Sequence, residues 1–159
     1  MNWRHNETVG KDIILHDCKV SGARLEEGVL SLDFDEGFWI SPLHPESELD
    51  TLVRTDGSKM DIYLNEDPHC HILVYVFERR FGKTVRKELP IEKLINDVSA
   101  GRARIEFLYQ YADWNDEGER IFDCIIMQDK KPFWRECLIK VYAKEIVYRW
   151  NKIEREKVW

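Results

Sequence analysis

The strongest constraint on the fold lies in the last third of the chain. From residue 120 to 150, short apolar blocks follow one another almost without a break, over 121–127, 133–142 and 146–150. Polar clusters divide them at 128–132 and 143–145. Blocks of this length, rich in β-branched and aromatic residues and bounded by turn formers, read as strands of an antiparallel meander. Successive strand side chains point to opposite faces, so each block sorts into a wet side and a buried side.

The same rhythm extends upstream. Residues 12–26 read as a first strand with Ile14, His16, Cys18 and Val20 on one face. Leu30, Leu32 and Phe34 alternate with Ser31, Asp33 and Asp35, and Met60, Ile62 and Leu64 repeat the pattern. The segment around Ile72, Val74 and Val76 is apolar on both faces, which suits a central strand. Thr84 to Glu88 is polar and belongs near an edge. One helix is expected over roughly residues 90–101. Pro90 suits its first turn, Ile91, Leu94, Ile95 and Val98 form one apolar stripe, and Gly101 can end it in the left-handed conformation. Residues 1–11 are expected to be loosely held. Residues 41–55 carry two prolines and no period, which marks a candidate functional loop. Together these elements predict a single globular α+β domain over residues 1–159. Its sheet is expected to be curved and mainly antiparallel, of about eight or nine strands, with one principal helix packed on it.

Size and charge narrow the function classes. A chain of 159 residues buries about 68–70% of its unfolded surface, enough for an independent core. No apolar run approaches the roughly 18 residues of a membrane-spanning helix. The first seven residues lack the apolar block of a secretory signal, so a cytoplasmic protein without membrane partners is expected. The formal net charge of −6 argues against a nucleic-acid binder and suits a basic protein partner. Cys18, Cys70, Cys124 and Cys137 all sit in apolar segments without a Cys-x-x-Cys pair. They read as reduced core thiols, with a Cys124–Cys137 bridge open if the hairpin register opposes the two.

No convergent catalytic motif is present. The glycines form no phosphate-binding loop, and no Gly-x-Ser-x-Gly elbow occurs. Asp113, Asn115, Glu117 and Gly118 imitate the start of a calcium loop, but Cys124 stands where a bidentate Glu is needed. His16 and Asp17, as strand neighbours, should point to opposite faces and cannot grip one ion. His69 and His71 share a strand face and are the metal candidates, yet two ligands fall short of a site. No metal or other cofactor is therefore expected, and the reading leans away from an enzyme. Of the six tryptophans, Trp39, Trp134 and Trp150 fall in strand contexts and belong in the core. Trp114 stands in an acidic turn. With Asp113, Asp116, Glu117 and Glu119 it forms a candidate protein-binding patch for a basic partner.

The segment order also carries a resemblance. A Leu15-His16-Asp17 strand, a short hairpin at Leu30 to Phe34, an apolar-striped helix and a sheet ending in Tyr148-Arg149-Trp150 are similar to a loose group of small bacterial cytosolic proteins. Most are uncharacterised, and some resemble immunity proteins encoded beside polymorphic toxins. The resemblance implies a non-enzymatic, toxin-sequestering role and assigns no site residue. The resulting expectation is a protein-binding module, with a toxin-neutralising immunity protein as its finer form. The alternative is a small-molecule-binding or enzymatic domain with a cavity inside the curved sheet, around His16 and Cys18. The sequence leaves the oligomeric state open.

Overall fold

The computed structural model describes residues 3–8, 10–66, 72–111 and 118–158. In chain order the elements are β1 (His5–Glu7), a 3-10 turn (Gly10–Asp12), β2 (Ile13–Ile14), β3 (Cys18–Val20), β4 (Gly22–Glu26), β5 (Val29–Phe34), β6 (Trp39–Ile40), β7 (Val53–Thr55), β8 (Ser58–Leu64), β9 (Leu73–Arg80), β10 (Lys83–Glu88), α1 (Ile91–Ser99), β11 (Ala103–Tyr111), β12 (Glu119–Gln128), β13 (Trp134–Trp150) and β14 (Ile153–Val158). The main sheet runs β3-β11-β12-β13-β8-β5-β4, with β1 and β9 also on β13 and β10 on β9. A smaller sheet runs β14-β7-β6-β2. The fold is therefore α+β, dominated by antiparallel sheet, with a single helix among the described residues.

Strand β13 organises the molecule. The polar cluster at 143–145, expected to be a turn, is instead a bulge inside one long strand. The register against β8 slips by one residue between Ala143 and Glu145, which leaves Lys144 unpaired. Before the bulge the buried residues are odd-numbered: Cys137, Ile139, Val141 and Ala143. Beyond it the residues that join the core cluster are even-numbered, Ile146, Tyr148 and Trp150, while Val147 is buried outside that cluster. One inserted residue reverses the phase of a period-two pattern and bends the strand, so β13 keeps a buried face in both halves.

That bend divides the strands into two leaves. The first half of β13 pairs with β12 on one edge and β9 on the other. The second half pairs with β8 and β1. A second corner lies at Ser21, the one residue between β3 and β4, whose N–H donates to Asp33 O at 2.8 Å. The expected eight or nine strands undercount the fourteen found, and the sheet is not strongly curled. It turns at two corners instead, at the β13 bulge and at Ser21. Phe34 of β5 meets Phe107 of β11 across the interior with centroids 5.9 Å apart, and Phe107 meets Phe122 of β12 at 5.3 Å. Helix α1 packs on β4 and β11, buries Leu94 and Val98, and is tied by the Ser99 hydroxyl donating to Ala23 O at 2.6 Å.

Other differences from the sequence reading have local causes. Residues 12–26 are three strands rather than one, because a turn with Asp17 at φ 58° and the corner at Ser21 interrupt them. Residues 5–7, expected to be loose, pair with Arg149 and its neighbours in β13. Of the stretch 41–55, residues 41–52 form a loop, as expected, and only 53–55 depart from it as β7. Trp39 and Trp150 are buried as expected, but Trp134 is 60% exposed because it lies beyond the end of the β9 pairing. Helix α1, the edge strand β10 and the left-handed Gly101 (φ 69°) follow the expectation.

The corner at Lys144 leaves no room beside it. Gly118 holds φ 73°, and a Cβ there would lie 2.3 Å from Ala143 O. Gly118→Ala should therefore destabilise the fold by about 2 kcal/mol or more. Gly28→Ala is the control: its φ is 76° but nothing lies within 4 Å, and about 1 kcal/mol is expected. Urea unfolding of the two variants separates backbone strain from the clash.

Candidate functional site

The two proposed cavity residues do not share a cavity. Cys18 is fully buried, and its thiol donates to Ile14 O at 3.7 Å and His16 O at 3.6 Å. His16 lies on the outside, half exposed, with Nδ1 2.7 Å from Leu108 O and its ring 5.6 Å from that of Tyr109. The turn that breaks the expected strand also brings His16 and Asp17 together, Nε2 to Oδ2 at 3.5 Å, where strand geometry would have separated them. Between α1 and the two leaves the interior holds a void of about 10 Å³, walled by Leu30, Ile62, Leu94, Ile105, Phe107 and Ile139. That is room for about one water and for no ligand.

Cys124 and Cys137 do oppose each other in the β12–β13 register, as free thiols. Burial drives the Cys18 and Cys137 thiols up to about 11 and about 12, and Cys124 well above the ordinary thiol range. Neutral, enclosed thiols are poor nucleophiles. All three should resist Ellman's reagent at mildly alkaline pH in the native protein and react once denaturant is added. Rapid native modification of any of them, mapped by mass spectrometry, would contradict this packing.

Of the acidic-aromatic patch, Asp113, Trp114, Asp116 and Glu117 lie outside the described residues, as do His69, Cys70 and His71. Glu119 is described, and its carboxylate is 2.6 Å from the Lys140 ammonium, largely shielded from solvent. That hydrogen bond holds Lys140 up at about 12. Glu119 is thus committed to a partner within its own sheet. Among the described residues no three His, Cys, Asp or Glu side chains converge to hold a metal, and no helix is long and apolar enough to cross a membrane.

What does converge is a groove beside the start of α1. The β4–β5 hairpin turns through Glu27 and Gly28, both at positive φ, and Gly28 O accepts from Leu64 N–H at 2.9 Å. The turn is thereby clamped against the end of β8. On the facing side Leu89 N–H donates to Val74 O at 2.8 Å, which sets Pro90 and Ile91 at the wall. The space between is about 590 Å³, floored by Leu25, Leu64, Ile72, Leu89 and Ile91. Among the described residues its rim carries Glu27, Glu66, Glu88 and Glu92 against one cation, Lys144. Lys144 bonds Glu66 at 2.8 Å and lowers the proton affinity of that fully exposed carboxylate. The groove thus combines an apolar floor with a negatively charged rim.

Two polar clusters lay beyond the reach of sequence. Asp61 is 4% exposed and receives Ser31 Oγ at 2.6 Å, Lys59 Nζ at 2.8 Å and Arg149 Nε at 2.8 Å. Arg149 also reaches Tyr63 Oη at 3.2 Å and Asn6. The second cluster surrounds Trp150. His44, 6% exposed, sets Nε2 2.7 Å from Glu7 and accepts Glu46 N–H on Nδ1 at 3.1 Å. His5 stacks on the Trp150 indole at 5.1 Å and pairs with Glu46 at 2.8 Å. Both nitrogens of His44 are engaged, so it has no lone pair left to serve as a general base. Each cluster spans a long stretch of chain, from Asn6 to Arg149 and from His5 to Trp150, and so has no signature in local spacing. The only hint was the unpatterned loop that holds His44.

No protein-family model, curated protein or solved structure matches the chain.

The Asp61 cluster has a pH consequence. Burial opposes the charge, but the bonds from Lys59, Ser31 and Arg149 outweigh it and hold the carboxyl below 3.8. A carboxyl lowered in the folded state contributes stability above its unfolded value, and that stability is lost as pH falls through the folded one. Stability should thus drop as pH falls below about 3.8. Asp61→Asn should be less stable at neutral pH and show a flatter acid limb in urea titrations at stepped pH.

Proposed function

We propose that this protein is a protein-binding module that seats a basic, partly apolar segment of a partner in the groove between the β4–β5 turn and α1. Its finer form is a toxin-neutralising immunity protein acting on a basic toxin. One observation carries the reading: an apolar floor bordered, among the described residues, by four glutamates and a single lysine. The packed interior supports it as well, since it leaves the surface as the place for recognition. The surplus carboxylates of the rim add local attraction for a cationic partner. The role as an immunity factor rests on the resemblance in segment order.

Co-expression with the product of the adjacent reading frame tests the proposal. A complex, and relief of that product's toxicity, are the expected results. Glu27→Lys with Glu92→Lys reverses two exposed rim charges and should slow association about tenfold at low salt, with a smaller effect at high salt. Unchanged association kinetics in the double variant would remove the groove from the account. Absence of both complex and protection would remove the immunity role.

A further inference from the structure

The overall negative charge conceals a face of opposite sign. The ladder between β9 and β13 ends at the Phe77/Glu136 pair. Beyond it β9 continues to a hairpin tip at Phe81–Gly82, while β13 emerges from the turn at 129–133. A cleft of about 890 Å³ lies there, lined by Phe77, Arg79, Arg80, Trp134 and Arg135. Arg79, Arg80 and Arg135 line it against Glu78 and Glu136, and Lys83, Lys130 and Lys131 follow along the chain in the start of β10 and the turn before β13. Glu78 is already bonded by Lys87 at 2.9 Å and Arg80 at 3.2 Å. The cleft shares no lining residue with the acidic groove.

Its aromatic rings are the second observation. Trp134 is 60% exposed, Phe133 56% and Phe81 104%. Phe81 occupies the first of the two loop positions of the β9–β10 hairpin at φ 49°, followed by Gly82 at φ 76°. Two-residue hairpin loops with positive φ favour Asn, Asp or Gly, and a bulky residue there is strained. At full exposure the ring returns nothing to the fold for that strain. A side chain that costs stability and packs on nothing inside the molecule points to a partner outside it.

We propose that this cleft binds single-stranded nucleic acid. The guanidinium and ammonium groups track the phosphates, and the rings of Trp134, Phe133 and Phe81 stack unpaired bases. Trp134 lines the cleft, and Phe81 and Phe133, more than half exposed, lie outside its lining. An acidic peptide would need pockets for its side chains, whereas a base needs only a flat π-face. A duplex hides its base faces, so it fits less well. The net charge of −6 does not describe this cleft, whose lining carries three arginines against two glutamates.

Fluorescence anisotropy of the full chain with labelled oligo-dT and oligo-U of about ten nucleotides tests this. Saturable binding that weakens steadily with salt is expected. Trp134→Ala should weaken it about tenfold and Trp134→Phe far less. Arg79→Glu with Arg80→Glu should abolish it. Phe81→Asn restores a favoured turn residue, so it should raise thermal stability while weakening binding several-fold, a combination that a structural role would not produce. Four results would each overturn the proposal: no binding at low salt, equal affinity of Trp134→Ala and wild type, equal affinity for duplex, or equal competition by polyglutamate. The last would reassign the cleft to acidic polypeptides.

Discussion

The fold depends on one residue's worth of slip in one strand. Strand β13 crosses the whole molecule, and its side chains can face a core along their entire length only if the alternation changes phase where the core changes sides. Lys144 supplies that change: odd residues point inward before it and even residues after it. A one-residue shift in a sheet exchanges its buried and exposed faces completely, so the bulge governs which residues β8, β9, β12 and β1 can pair and bury. Gly118 and Ala143 meet beside it at a distance that only a glycine allows.

Once the two corners are set, the interior has no space to spare. Phe34, Phe107, Phe122 and the stripe of α1 fill it, and the buried thiols of Cys18, Cys124 and Cys137 act as small apolar fillers there. Where a charge is buried it is satisfied, as Asp61 is by Ser31, Lys59 and Arg149. The chemistry of this protein is accordingly a chemistry of surfaces. It is uneven, with carboxylates concentrated beside the start of α1 and cations beside the β9–β10 tip. A summed charge describes neither place, because screening confines each patch's influence to roughly 8–10 Å.

Much of the fold was legible because it is local. The stripe Ile91, Leu94, Ile95 and Val98 with Gly101 behind it marked α1, and the polar run at Thr84 to Glu88 marked an edge. Alternation at Leu30, Leu32 and Phe34 marked β5. The errors arose where pairing partners overrule local pattern. The polar cluster around Lys144 looks like a turn until strands on both sides hold it straight. Residues 5–7 look loose until β13 offers them an edge. His16 and Asp17 look like strand neighbours until a left-handed residue folds them together.

By itself the amino-acid order determined which segments are pleated, which one is helical, and which side chains would be driven from water, because these follow from the period of apolar residues along a short stretch. Only the tertiary structure decided that Glu27, Glu66, Glu88 and Glu92 border one groove, that Arg79 and Arg135 flank one cleft, and that His44 meets Glu7. Those meetings join residues far apart in the chain, and the energy that brings them together belongs to the packed sheets rather than to the residues that meet.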